Sequence, residues 1–207
     1  MGHECDYQLD LDGQVTCATC GAMDDDMVIE SNYHFNQTMK DVNLNKNNYV
    51  IVNVNTEHLE AILIIQELAH SSKFYELAEA FISKINYSPK TSYGILHNNK
   101  LVAYGIAFPC SDKEDVQLNS NLIYKLGNYD TLYIHDIAIL PDFQGKGLSV
   151  MLIEKLKSDA VALGLGKLTL IAVLGSDTHW SKLGFTESGI CDASYGPQAK
   201  KMHLKIT

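Results

Sequence analysis

The sequence contains no arginine: all 16 basic side chains among its 207 residues are lysines. Of the 25 acidic side chains, eight lie in residues 1–30, which carry no lysine, and the remaining 17 nearly balance the 16 lysines. Proteins that bind the phosphate backbone of nucleic acids depend on clusters of Arg and Lys. We therefore expect no nucleic-acid partner, and any phosphate group must be bound by backbone amides and lysine.

Long apolar runs are also absent. Runs such as residues 61–65 reach only five residues, whereas a membrane-spanning helix needs roughly 20. The N-terminus has no basic region followed by an apolar one, so no secretory signal peptide is apparent. These absences predict a cytoplasmic protein that does not associate with membranes. A hydrophobic content of 46% is nevertheless enough for a folded core.

Cysteine is sparse and unevenly placed. The number of cysteines, five, is odd, which argues against a framework of disulfide bonds. Near the N-terminus, His3-x-Cys5 and Cys17-x-x-Cys20 are two short chelating pairs separated by 11 residues. Two such pairs suit a tetrahedral Zn²⁺ site. An Asp-Gly dipeptide between them is typical of a tight turn, so we expect a β-hairpin there.

Residues 1–35 resemble a small zinc ribbon. The predicted metal ligands are His3, Cys5, Cys17 and Cys20. Four protein ligands leave no open position for catalysis, so the Zn²⁺ is predicted to be structural. The His-x-Cys pair departs from the usual ribbon pattern, which leaves His34 or a water as alternatives to His3. The other interpretation is that the cysteines are free in a tail without metal.

The sharpest change of pattern lies within residues 131–152. Residues 131–139 are apolar and rich in Ile and Tyr, which indicates a buried strand that Pro141 would end. Residues 144–147 read QGKG, and from Val150 onward apolar residues recur at helical spacing. The sequence thus predicts a strand, a glycine-rich turn and a helix. The amides of a first helical turn have no intrahelical partners and can bind phosphate.

This stretch resembles motif A of the GNAT N-acetyltransferases, in which [RQ]-x-x-G-x-[GA] follows a strand. Gln144 and Gly147 match the motif, and Ser149 replaces its last Gly or Ala. The resemblance implies that the turn holds the pyrophosphate of acetyl-CoA and that the end of the strand holds the thioester. The residues predicted to contact acetyl-CoA are Ile137, Ala138, Ile139, Gln144, Gly145, Lys146, Gly147, Leu148, Ser149 and Trp180.

The order of the other elements agrees with this resemblance. A strand, two helices and two more strands are predicted before residue 131, and two strands follow the long helix. The predicted fold is α/β (α+β), with a mixed, splayed sheet flanked by helices. We divide the chain into a ribbon at residues 1–35, a linker at 36–48 and a GNAT domain at 49–207. In this domain, His70 is interpreted as a surface or turn residue.

Two neighbouring residues of the central strand are candidates for the general base. Simple alternation would place Tyr133 and His135 on one face and Asp136 on the other. The GNAT resemblance implies a base, commonly Glu or His, at the position of His135, and an imidazole can take a proton from an amine near pH 7. Asp136 is the second candidate. The alternative for His135 is a core histidine that hydrogen-bonds to the sheet.

A general acid is needed for the leaving thiolate. Residues 179–185 resemble the F-Y-x-K-x-G-F motif that carries a tyrosine acid in many GNAT enzymes, but here Trp180 stands in its place, and an indole cannot serve as the acid. Residues 194–202 resemble the S-Y-G-x-x-A-x-x-M ending of family members that carry Trp there. Tyr195 is therefore the predicted acid, unless it is only a packed aromatic before a glycine turn.

The sequence therefore predicts transfer of an acetyl group from acetyl-CoA to a primary amine. The cofactors would be acetyl-CoA as cosubstrate and a structural Zn²⁺, and the acceptor a small molecule or a peptide. Two alternatives remain: a non-catalytic acyl-CoA sensor, and a protein-interaction module built on the ribbon. Neither the acceptor nor the oligomeric state can be inferred from the sequence.

Overall fold

The computed structural model describes residues 7–9, 15–17, 48–113, 116–122, 129–189, 191 and 193–206. The chain divides into two units, Met1–Asn45 and Lys46–Thr207. No helix within the described ranges is long and apolar enough to span a membrane.

The first unit contains the predicted hairpin. Strands β1 (Tyr7–Leu9) and β2 (Val15–Cys17) pair antiparallel, with Tyr7 opposite Cys17. The predicted ligands His3, Cys5 and Cys20, and the alternative His34, lie outside the described residues, as does the side chain of Cys17. Within the described parts of the chain, no three metal-ligating side chains come together.

The second unit is built on one mixed sheet of seven strands. The strands are β3 (Tyr49–Asn53), β4 (Ser92–His97), β5 (Lys100–Cys110), β6 (Thr131–Ile139), β7 (Lys167–Ala172), β8 (Thr186–Gly189) and β9 (Lys200–Lys205). Their order across the sheet is β3-β4-β5-β6-β7-β9-β8. Among these described strands, β6 and β7 are the one parallel pair. The mixed sheet confirms the predicted α/β (α+β) class, and the helix Leu148–Ala162 is the crossover between the parallel strands.

Helices cover both faces of this sheet. They are α1 (Leu59–Ala69), α2 (Ala78–Tyr87), α3 (Leu148–Ala162) and α4 (Asp177–Lys182). Apolar residues of α1 and α2, such as Ile62 and Phe81, pack with Tyr104 and Ala138 in one cluster. The apolar side of α3 packs in a second cluster with other residues of β5, β6 and β7.

The sheet splits between its two parallel strands. β6 and β7 pair only from Leu132–Leu168 to Ile134–Leu170. On its other side, β6 remains paired with β5 as far as Ile139. The last five residues of β6 therefore have β5 as a neighbour but no paired neighbour on the β7 side. This is the splayed sheet that the GNAT resemblance implied.

A β-bulge at His135 contradicts the predicted alternation of faces. Ala107 pairs with Ile134 and Ile106 pairs with Asp136, so His135 is the extra residue of β6. The extra residue shifts the pattern by one. Ile137 then faces the α3 cluster, and Asp136 shares the α1–α2 face with His135. The expectation that His135 and Asp136 point to opposite sides is therefore wrong.

Candidate active site at the split of the sheet

A cavity of about 200 Å³ lies where β6 and β7 separate. Ile134 to Ile137 line it from β6, and Leu170 and Ile171 line it from β7. Trp180, Tyr195, Leu118 and the segments that follow α1 and β7 also line it. The cavity thus brings together Ile137, the two candidate bases His135 and Asp136, and the predicted acid Tyr195, whereas Ala138 and Ile139 do not line it.

The end of β6 turns two backbone amides toward this split. The amide of Leu140 donates to the carbonyl of Val102 at 2.9 Å, so these two residues form a hydrogen-bonded pair. In an antiparallel ladder such pairs alternate with pairs that do not exchange hydrogen bonds. The amides of Ile137 and Ile139 therefore point away from β5, toward the gap. Gln144 Nε2 donates to the carbonyl of Ile139 at 3.3 Å, which connects the glycine-rich turn to the strand end.

The glycine-rich turn holds both of its glycines at positive φ. Gly145 has φ of +73° and Gly147, the residue before α3, has φ of +81°. These are left-handed conformations that glycine adopts without strain. No side chain caps the N-terminus of α3, so the first-turn amides of Leu148 and Ser149 are available to an anion. Lys146 Nζ lies 4.7 Å from the centre of the Phe143 ring.

The imidazole of His135 is buried and paired with a carboxylate. His135 Nε2 lies 2.8 Å from Oε2 of Glu76, and the two side chains are 2% and 3% exposed. Lys84 Nζ lies 3.0 Å from the same oxygen. Burial would raise the pKa of Glu76, but the charges of His135 and Lys84 and the hydrogen bonds from His135 and Asn119 lower it from 4.5 to about 2. Glu76 is therefore ionised beside the ring.

Asp136 belongs to a second polar cluster on the same face. Its Oδ1 lies 2.9 Å from Nε2 of His70, and its Oδ2 accepts the hydroxyl of Tyr104 at 2.6 Å. Burial lowers the pKa of His70, but the hydrogen bond to Asp136 and its charge outweigh burial, so the pKa lies above 6.5. Both Asp136 oxygens are engaged. This makes Asp136 a poorer base than an imidazole with a free nitrogen.

Tyr195 occupies the wall of the cavity. It lies in a short 3₁₀ turn, Ala193–Tyr195, and is 6% exposed. Its hydroxyl lies 3.4 Å from that of Tyr133. Burial, together with Tyr195, raises the pKa of the Tyr133 hydroxyl well above 10. Tyr195 is therefore positioned beside the split, as a proton donor to the gap must be.

Sequence reasoning missed three polar residues of the site. His70 was interpreted as a surface or turn residue, yet it lines the cavity and pairs with Asp136. Glu76 and Lys84 lie on the α1–α2 side, far from the recognised motifs in the sequence. The sequence did contain one signal for the Glu76–Lys84 pair. Lys84 falls on the apolar face of a predicted helix, and a buried lysine needs an acidic partner. That signal does not say which acid is the partner.

Comparison with known proteins agrees with this geometry. Residues 59–185 match the Acetyltransferase (GNAT) family, so the chain belongs to that family. An uncharacterized N-acetyltransferase of Bacillus licheniformis is 34% identical over 122 residues, which are 59% of this chain and 66% of the relative. The match thus spans slightly less than two thirds of that relative's length.

Solved structures share the fold at lower identity. The ribosomal-protein-S18-alanine N-acetyltransferase of Escherichia coli is 22% identical with a TM-score of 0.56, over 77% of this chain and 94% of that one. The PaiA N-acetyltransferase of Thermoplasma acidophilum, solved with coenzyme A, is 13% identical with a TM-score of 0.57, over 76% of this chain and 98% of that one. These likenesses show the GNAT fold.

Proposed function

We propose that this protein transfers an acetyl group from acetyl-CoA to a primary amine. One observation carries the proposal: the amides of Ile137 and Ile139 face an open gap whose wall also holds His135. A thioester beside these amides would be polarised next to a base. Membership of the GNAT family and the coenzyme A complex of a fold neighbour support the choice of cosubstrate.

Acetyl-CoA would lie along the split from the glycine-rich turn to the cavity. The amides of Gly145, Gly147 and Ser149, with Lys146, would hold the pyrophosphate, since no arginine is available. The gap between β6 and β7 would admit the pantetheine arm. The amides of Ile137 and Ile139 would donate to the thioester carbonyl, and these donors would strengthen as negative charge develops on its oxygen.

The acceptor amine must lose a proton before it attacks. An amine with a pKa of about 10 is almost entirely protonated at pH 7, and deprotonation costs roughly 4 kcal/mol. His135 would take that proton, directly or through a water. The nitrogen would then form a bond to the carbonyl carbon, and the carbon–sulfur bond would break. Tyr195 would give its proton to the departing thiolate, and the second proton that the nitrogen loses as the amide forms would restore the Tyr195 hydroxyl.

The acceptor is proposed only as a class, a primary amine on a small molecule or a peptide. A thiol-release assay with acetyl-CoA across mixed amine pools tests this class. Release that depends on the amine supports transfer. Binding of coenzyme A in calorimetry, with no release across all pools, would instead indicate a sensor.

A separate proposal concerns the first unit. We propose that His3, Cys5, Cys17 and Cys20 hold a structural Zn²⁺. The pairing of Tyr7 with Cys17 supports it, because β1 begins two residues after Cys5 and β2 ends at Cys17, at the same end of the two-stranded sheet. Metal analysis of the purified protein tests it: about one zinc per chain is expected, and less than half would contradict it. Removal of residues 1–35 would show whether transfer depends on this unit.

A further inference from the structure

The carboxylate of Glu76 is the centre of a buried polar network. Its Oε2 lies 2.8 Å from His135 Nε2 and 3.0 Å from Lys84 Nζ. Its Oε1 accepts the backbone amide of Asn119 at 2.7 Å and Lys84 Nζ at 3.1 Å. The Glu76 and Lys84 side chains are 3% and 0% exposed. Each oxygen is therefore engaged, and only one contact is to a member of the proposed catalytic machinery.

The backbone of Glu76 is fixed as firmly as its side chain. Gln66 of α1 accepts the Glu76 amide at 2.6 Å and donates to the Glu76 carbonyl at 3.1 Å. Gln66 is itself buried, at 3% exposed. This two-point attachment sets the position from which the Glu76 side chain reaches β6. A surface carboxylate that happened to meet a histidine would not need such an attachment.

An ionised carboxylate can only accept hydrogen bonds. The ring nitrogen that faces Glu76 must therefore carry a hydrogen, which makes the neutral His135 ring the Nε2–H tautomer. The other ring nitrogen, Nδ1, then has the lone pair. Nδ1 is buried and has no hydrogen-bond partner among the described residues, and His135 lines the cavity.

We propose that Glu76 is the positioning residue for the base: it fixes the His135 ring as the Nε2–H tautomer, so that Nδ1 accepts the proton of the acceptor amine. This inference rests on the proposed transferase function. When Nδ1 takes the proton, the ring becomes an imidazolium, and the negative charge of Glu76 stabilises it. Lys84 and the Asn119 amide keep that charge on Glu76.

The variant E76Q tests the proposal through the direction of one hydrogen bond. Besides the His135 ring, Glu76 accepts two donors, which are the Lys84 ammonium group and the Asn119 backbone amide. In E76Q these two donors would take the single oxygen of the side chain at position 76. Its NH₂ group would then donate to His135 Nε2 and place the hydrogen on Nδ1. The exposed Glu79, at the start of α2, offers the matched control E79Q.

Nitrogen NMR of the histidine rings reads the tautomer without any acceptor. We expect the neutral His135 ring of the wild type and of E79Q to carry its hydrogen on Nε2, and that of E76Q on Nδ1. Turnover of E76Q should fall about 10²–10⁴-fold, as expected for a base in the wrong tautomer. Its KM for acetyl-CoA should stay within about twofold, because the polar partners described for Glu76, namely Gln66, Lys84, Asn119 and His135, are not among the residues predicted to contact acetyl-CoA.

Several outcomes separate this inference from the proposed function. A wild-type ring with its hydrogen on Nδ1 would overturn the inference, and this measurement needs no variant. Wild-type turnover in folded E76Q would overturn it as well. If the wild type transfers no acetyl group but the tautomer changes in E76Q as predicted, the proposed function fails and the positioning by Glu76 is supported.

Discussion

The buried pair of Lys84 and Glu76 allows a quantitative test of the network behind the cavity. Lys84 is fully buried, and its ammonium group donates to Glu76 and to the carbonyl of Ser120 at 2.9 Å. The variant K84M keeps much of the side-chain volume but leaves Glu76 without its cation. Removal of one partner of a buried pair costs about 3–5 kcal/mol. At about 2–4 °C per kcal/mol, the melting temperature should fall by roughly 10 °C.

Urea denaturation of four proteins measures this effect: wild type, K84M, E76Q and the double variant. The double variant should lose less stability than the sum of the two single variants, by about 1–3 kcal/mol, because the two groups are in contact. The exposed Lys90 offers the control K90M, expected to change stability by less than about 0.5 kcal/mol. Additive losses, or a K84M protein as stable as K90M, would refute the pairing.

Three further predictions concern the turn and the titratable groups. G147A should lower the free energy of unfolding by about 1–2 kcal/mol in urea denaturation, because a residue with a Cβ is strained at φ of +81°. Nothing lies within 4 Å of the added Cβ, so no clash adds to this strain. G166A is the control, since that site is equally unobstructed but has no positive φ, and equal losses would contradict this reasoning. Folding lowers the pKa of Glu76 from 4.5 to about 2, which contributes roughly 3 kcal/mol to the free energy of unfolding above pH 4.5. This contribution is lost as pH falls toward 2, and acid denaturation of the wild type should show the loss. An equal slope of stability against pH in E76Q would refute this prediction. The pKa of His70 is raised in the folded protein, so protonated His70 stabilises the fold below pH 6.5, and this stabilisation is lost as pH rises through the folded pKa. The free energy of unfolding should therefore depend less on pH in H70Q. An unchanged pH profile would count against the His70–Asp136 pair.

The parts of the site that the sequence predicted are those encoded locally. The strand, turn and helix around residues 144–147 follow from a proline, two glycines and a change of periodicity. The turn between β4 and β5 is local in the same sense, because Asn98 and Asn99 both have positive φ, which asparagine tolerates. The splay of the sheet came only from the resemblance, because it depends on where β6 and β7 stop pairing.

The parts that the sequence did not predict depend on contacts between distant segments. The bulge at His135 is a mismatch between β5 and β6, and neither strand alone reveals it. Glu76 lies 59 residues before His135 and next to no recognised motif. Glu76 can position the His135 ring because it is buried beside Lys84. This burial arises only when α2 packs against the sheet.

The central claim is that the buried imidazole of His135 accepts the amine proton at the split of the sheet. The most direct measurement compares thiol release by the wild type, H135Q and the control H203Q, a histidine on β9 that does not line the cavity, with coenzyme A binding measured alongside. We predict a 10²–10⁴-fold lower turnover in H135Q, with coenzyme A binding retained and H203Q active. Turnover in H135Q equal to that of the wild type would contradict the account.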